Sequence, residues 1–208
     1  MVHPRSFLAI VSVAMLAMVN VSCNALQEIQ RAMVNVSRCQ FKIGGVSDFS
    51  LAGISLNGKS SFSLSDGAHL LATFSQNQLP ASFTLNLVAR NPNDGTGGTP
   101  KASATMTSFA WRLIIDSTMT INGNISSPIT IPGTGQETTI PLQMQLDLVK
   151  FFGDKGYKSL LNLGLALGGL NKSASRITLR AQPTIKTDYG PLTYPGEIDI
   201  IDKEFRAQ

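Results

Sequence analysis

The chain has 208 residues, of which 43% are hydrophobic, 17 are basic and 13 are acidic. Its basic residues are scattered instead of forming a run interleaved with aromatic residues, which excludes the pattern typical of nucleic-acid binders. The length is enough for one domain with a sizeable core.

The first 22 residues predict an export signal. Arg5 is followed by an apolar run from Phe7 to Val19, too short to span a membrane, and small residues end the segment. Cys23 follows at once, which indicates a bacterial lipoprotein that carries a lipid on this cysteine. Asn20 stands where lipoprotein signals usually have leucine, so an ordinary secreted protein cut after Ser22 is the alternative. We therefore predict a cell-envelope location, with outer-membrane attachment facing the periplasm or the surface.

Three regions follow from this reading: a signal at 1–22, a lipid attachment and tether at 23–38, and a domain at 39–208. The tether includes apolar residues at helical spacing, so one or two helical turns are an alternative there. The second cysteine, Cys39, is predicted to be a small buried hydrophobe at the start of a strand. If Cys23 carries no lipid, a Cys23–Cys39 disulfide is the alternative. Neither case gives the clustered ligands of a metal site.

The domain begins with alternating apolar residues between Phe41 and Leu56, which predict strands, and Asn57-Gly58 predicts a hairpin turn. A helix is predicted from Ser65 to Gln76, with Ser65 as its cap. The clearest alternation runs from Ser82 to Ala89 and ends at an Asn-Pro-Asn turn.

The second half predicts further strands, separated by turns at Asn122-Gly123 and at Pro132 to Gly135. The strands are Ala102–Thr107, Phe109–Ile115, Thr118–Ile125, Ile129–Ile131, Thr138–Leu146, Ile177–Lys186 and Glu197–Ile201. The Leu-rich segment 148–170 lies between Thr138–Leu146 and Ile177–Lys186, and there we predict one or two helices interrupted at Gly153–Gly156. Many short strands with turns between them predict a mainly β fold, a sandwich with one or two added helices. Its predicted core is Phe83, Leu85, Leu87, Trp111, Leu113 and Leu142.

Two stretches carry a family resemblance. The strand that leads into Asn91-Pro92-Asn93 resembles the corresponding part of group-2 late embryogenesis abundant proteins, the WHy-type domains. The later segments Trp111–Leu113, Thr120–Gly123, Ile131–Gly133 and Thr138–Leu142 follow the order of that family. The resemblance implies a fibronectin/immunoglobulin-like β-sandwich, a role in stress protection and no established catalytic residues. The helix-like segment 66–76 and the Leu-rich segment depart from the family pattern.

The inventory of reactive residues argues against catalysis. His69 is the single histidine after the signal, and its apolar neighbours indicate a structural residue rather than a general base. Glu197 and Asp199 near the C-terminus are predicted to lie on a solvated face, with glycosidase acids or calcium ligands as the alternative. No phosphate-binding glycine motif is present. We therefore predict no catalytic residues, no metal and no cofactor.

The remaining predictions concern binding. Asn91, Pro92 and Asn93 are predicted to be structural, because asparagine side chains bond turn backbone and proline fixes φ. The Leu-rich segment is the candidate contact surface for an unknown protein or apolar ligand, through Phe151, Phe152, Leu160 and Leu163, with plain burial as the alternative. The predicted function is a non-enzymatic envelope lipoprotein held at the membrane by its lipid. A structural or adhesive subunit of an envelope assembly is the second candidate.

Overall fold

Two antiparallel sheets packed face to face form the fold, which a computed structural model describes for residues 26–57, 59, 62–98, 100–168 and 176–200. The predicted signal and Cys23 lie outside the described residues. The first sheet has the order β2-β1-β3-β7. Its strands are β1 (Gln40–Leu51), β2 (Ile54–Ser55), β3 (Pro80–Arg90) and β7 (Glu137–Asp147).

The second sheet has the order β10-β8-β4-β5, with β6 also paired to β4 and β9 to β8. Its strands are β4 (Ala104–Ile115), β5 (Thr118–Gly123), β6 (Ile129–Ile131), β8 (Ile177–Thr187), β9 (Gly190–Thr193) and β10 (Ile198–Ile200). The predicted mainly β sandwich with helices is confirmed. The two strands predicted at Ala102–Thr107 and Phe109–Ile115 are one strand, β4, which bulges against β8 between Met106 and Ser108.

The core lies between the sheets because alternate residues of each strand point inward. Leu85 on β3 and Leu113 on β4 are both fully buried. All six predicted core residues are buried, at 6% exposure or less: Phe83, Leu85, Leu87, Trp111, Leu113 and Leu142. Strand alternation read from the sequence therefore locates the core correctly.

Two tight turns use left-handed backbone. Ala52 and Gly53 join β1 to β2 with φ of 48° and 80°, and Asp116 and Ser117 join β4 to β5 with φ of 48° and 70°. Two successive positive φ values are what a type I′ hairpin requires. The predicted hairpin turn at Asn57-Gly58 involves a residue outside those described, and the turn observed lies five residues earlier.

The turn predicted at Asn122-Gly123 is wrong, because β5 continues through Gly123, which pairs with Trp111 on β4. A Cβ atom at Gly123 would lie 2.4 Å from the Trp111 ring. The glycine is needed at this position for close packing of the indole, and no turn is formed there.

Helices cover one end of the sandwich. The Leu-rich segment forms α3 (Leu148–Phe152), a 3₁₀ turn (Gly153–Lys155) and α4 (Gly156–Leu167), so the predicted interruption is confirmed. A Cβ atom at Gly164 would lie 3.1 Å from Leu51. The glycine therefore lets α4 pack closely on β1.

A further helix, α2 (Leu64–Ser75), lies beside α4, where the rings of Phe74 and Tyr157 pack in a tilted arrangement with 5.1 Å between their centroids. Its cap is Ser63, two residues before the predicted Ser65, because Ser63 and Asp66 form a reciprocal capping box. Hydrogen bonds from the backbone and then the hydroxyl of Ser63 hold the pKa of Asp66 below its ordinary value.

The other end of the sandwich receives the N-terminal helix α1, described over residues 26–37, which directly precedes β1. Val36 is buried and Ala32 packs against the core, so this segment is a docked helix and not a loose tether. We call this the N-terminal end, and the end covered by α2, α3 and α4 the helical end. The 11 residues of β3 run between them, a distance of roughly 35 Å.

Candidate functional site

The Asn-Pro-Asn segment lies at the N-terminal end, where β3 leaves the sheet. The Asn91 side chain is fully buried. Its Nδ2 donates to the carbonyl oxygens of Ala102 at 2.8 Å and Ile131 at 3.1 Å. Its Oδ1 accepts from the backbone and side-chain nitrogens of Asn93, at 3.1 and 2.8 Å. Every polar atom of this side chain is therefore engaged within the fold.

Asn93 joins the N-terminal helix to the sandwich. Its side chain is also fully buried, and its Nδ2 donates to the backbone oxygen of Asn35, in α1, at 2.9 Å. The Asn93 Oδ1 atom is buried with no hydrogen-bond partner among the described residues. The motif consequently fixes α1 against the point where β3 ends.

Backbone contacts complete this arrangement, which we call the asparagine knot (Asn91, Pro92 and Asn93). The Ala102 N–H donates to the backbone carbonyl oxygen of Asn93, and the Gly135 N–H donates to the backbone carbonyl oxygen of Asn91, both at 3.0 Å. A Cβ atom at Gly133 would lie 2.4 Å from the backbone oxygen of Asn93, so the loop after β6 needs glycine here to pack against Asn93. The knot ties four chain segments together and leaves no free Asn91 donor or acceptor for a ligand.

The predicted contact surface on the Leu-rich segment is largely interior. Phe152, Leu160 and Leu163 are exposed by 1%, 0% and 5%. Phe151 is half-buried and packs against the same core. These side chains therefore fill the helical end, and the surface expected from them is not exposed. The sequence analysis left a contact surface and plain burial both open, because the spacing of these residues shows an apolar excess but not which element covers it; burial is what the structure shows.

The reactive side chains do not converge. His69 Nε2 lies 3.0 Å from the Ala52 carbonyl oxygen, a contact that joins α2 to the β1–β2 turn. Glu197 pairs with Arg112, and Asp199 pairs with Arg180 at 2.8 Å on the outer face of the second sheet. Within the described ranges, no three His, Cys, Asp or Glu side chains are grouped to hold a metal ion.

Cys39 lies where α1 passes into β1. It is 2% exposed and free, and its Sγ lies 3.5 Å from the Asn35 oxygen. Burial raises the pKa of the Cys39 thiol to about 12. The thiol is therefore protonated at neutral pH and packs as the small hydrophobe predicted from the sequence.

Two exposed apolar residues on α2 were missed by the sequence analysis. Leu64 is 93% exposed and Leu71 55% exposed. Seven residues apart, they lie on one face of the helix, with exposed Ala68 between them. Leu71 is next to Leu70, which is 1% exposed, and the sequence of a helix does not show which of its apolar residues a neighbouring element covers.

A cleft of about 360 Å³ opens at the N-terminal end, between α1 and the ends of β4 and β8. Arg31 of α1 and Lys186 of β8 line it, together with Glu28, Pro100 and Ser103. These residues are far apart in sequence and form no motif. No local signal in the sequence predicts that they line one cleft.

Comparison with protein-family models and with curated proteins gives no match. Among solved structures, the chain is similar to a protein from Archaeoglobus fulgidus at 14% identity. The match covers 60% of this chain and 87% of that one, with a TM-score of 0.29. A likeness of this size supports no statement about function. In the described part of the chain, no helix has both the length and the apolar character of a membrane span.

Proposed function

We propose that this chain is an exported envelope lipoprotein, attached through Cys23, whose WHy-like β-sandwich binds a partner and does not catalyse a reaction. The observation that carries the proposal is the docking of α1. Residue 26 is only three positions after Cys23, and the helix that includes it is bonded to the sandwich through Asn93. A lipid on Cys23 would therefore display the domain in a defined orientation at the membrane.

The asparagine knot also supports the resemblance to WHy-type domains. An Asn-Pro-Asn exit from a strand is a weak motif by itself, but here both asparagine side chains are fully buried and organise four segments. Because the two side chains are buried and hydrogen-bonded to neighbouring segments, other residue types would not fit at these positions. On this proposal the stress-protective function of the family is the biological setting of the protein.

The first expected result concerns the N-terminus. Mass spectrometry of the protein from its native membrane should show a mature chain that begins at an acylated Cys23. Cys23→Ser should abolish the modification and release the protein from the membrane fraction, because a serine has no thiol to carry the lipid. Cys39→Ser is the matched control and should leave the modification intact. An unmodified mature chain that begins elsewhere would contradict the lipid attachment.

The second expected result concerns the partner. The helical end points away from the N-terminal end, and its exposed Leu64 and Leu71 support contact with an apolar surface of another protein. A photo-crosslinking residue at Ala68 should capture a discrete partner in intact cells. Leu64→Ser with Leu71→Ser should lower the yield roughly tenfold or more, because a leucine buried at an interface contributes ~1.5–3 kcal/mol.

The control for this experiment is Met119→Ser. Met119 is 60% exposed and lies on β5 of the second sheet, away from α2 in sequence. It should leave the crosslink at Ala68 unchanged. Equal yields from the α2 variant and the wild type would contradict a partner at this helix.

The structural or adhesive alternative makes a different prediction. It needs an edge strand that pairs with another chain, and β7 has β3 as its one strand neighbour among the described residues. Pro141 lies in the middle of β7 and removes a donor, a feature that protects edge strands from pairing. A crosslinking residue at Thr139 on β7 would capture neighbours only if this alternative holds.

A further inference from the structure

We propose that the N-terminal end of the sandwich rests on an anionic lipid surface, with Arg31, Lys101 and Lys186 contacting headgroup phosphates. This inference rests on the proposed attachment through Cys23 and adds an orientation and a lipid class to it. Three observations support it: the short chain between Cys23 and α1, the cations at this end, and the exposed apolar residues of α1.

The reach of the chain sets the distance. From Cys23 to residue 26 the backbone can extend by at most about 11 Å, at ~3.6 Å per residue. From residue 26 onward the chain is α1, which the Asn93–Asn35 hydrogen bond fixes to the sandwich. A lipid on Cys23 therefore holds residue 26, the start of α1, within about a Debye length of the headgroups.

The charges at this end match an anionic surface. Arg31, Lys101 and Lys186 are exposed, and none of them takes part in an ion pair within the described ranges. Arg31 and Lys186 line one cleft, and Lys101 follows Pro100 at its rim. Glu28 is the one acidic residue among the residues that line this cleft. Cations near an anionic bilayer surface are attracted to it, and the attraction is screened by salt.

Exposed apolar side chains accompany these charges. Leu26 is 57% exposed and Val34 55% exposed, both on α1. Leu26 lies on the turn nearest Cys23. Apolar residues next to cations are the combination by which a helix lies at the boundary of headgroups and acyl chains.

The test uses the mature chain, residues 23–208, coupled at Cys23 to a maleimide-bearing lipid. Cys39 does not compete for the reagent, because it is 2% exposed and its thiol is protonated at neutral pH. The coupled protein is placed on vesicles of phosphatidylcholine, alone or mixed with phosphatidylglycerol. Lysine acylation, followed by mass spectrometry, measures the access of reagent to each lysine.

On the mixed vesicles, Lys101 and Lys186 should react roughly fivefold more slowly than on phosphatidylcholine, and the difference should vanish at high salt. Lys155 and Lys158, exposed at the helical end, serve as internal controls and should react equally on both. Arg31→Glu with Lys186→Glu should abolish the difference at Lys101, whereas Lys155→Glu with Lys158→Glu should retain it.

Equal labelling of Lys101 on both vesicles, or slower labelling at Lys155 and Lys158 instead, would overturn the proposal. Chemical coupling makes this outcome independent of native acylation. Failure of the lipid attachment is seen only in the mass of the native N-terminus, so the two failures are distinguishable.

Discussion

Replacing Asn91 with aspartate is expected to lower the free energy of unfolding by at least about 3 kcal/mol, because a buried charge is left without a partner. In the wild type, Nδ2 donates to the Ala102 and Ile131 oxygens. A carboxylate cannot donate there and instead places negative charge against both carbonyls. Chemical denaturation at neutral pH measures the change.

A pH series gives a second measurement on Asn91→Asp. Burial and the neighbouring carbonyls disfavour the charged form, so the pKa of the new carboxyl should be higher in the folded than in the unfolded state. The folded state then binds more protons, and the deficit of the variant should shrink as the pH falls and grow as it rises.

Asn86→Asp is the matched control, because Asn86 lies on the same strand and its half-buried side chain contacts Ser47 on the outer face. It should change stability by less than about 1 kcal/mol. Similar losses in the two variants would contradict a central role for the asparagine knot.

Truncating Leu85 to alanine is expected to cost about 2–5 kcal/mol, the range for large-to-small changes in a well-packed core. Leu85 is fully buried in the middle of β3, between β1 and β7. The change removes apolar contacts in the core and leaves a cavity that the flanking strands cannot collapse to fill. Chemical denaturation measures the loss in free energy of unfolding, as a lower midpoint concentration at an unchanged m-value.

Thr84→Ala is its control, because the neighbouring residue points to the opposite, outer face of the same strand. We expect a change below about 1 kcal/mol there. A Leu85→Ala loss no larger than the Thr84→Ala loss would show that this strand is not the centre of the core.

Some features of this fold follow from residues that are close together in the sequence, and others depend on residues that are far apart. Helix capping depends on the position of a single residue: Ser63 precedes α2 and forms the capping box with Asp66, whereas Ser65 lies within the first turn of the helix. The choice depends on the spacing of three residues between cap and acid, which is readable from sequence once the helix start is known.

Segment 148–167 shows where the local signal ends. Its leucines occupy most positions around the helices, so periodicity does not identify the face that is covered. The side of α4 that approaches Leu51 at Gly164, more than one hundred residues later in the chain, is also the side on which Leu160 and Leu163 are buried. The same holds for Arg31 and Lys186, which line one cleft only because the end of β8 lies near α1 in the fold.

By itself, the sequence determined most of the strands, the core residues between the two sheets and the interruption between α3 and α4, because side-chain alternation and helix breaks act over a few residues. Only the tertiary structure decided the partners of Asn91, which lie 11 and 40 residues away in the chain at Ala102 and Ile131. It also decided which apolar residues remain exposed. Burial depends on what an element packs against, and a segment read alone contains no information about its distant neighbour.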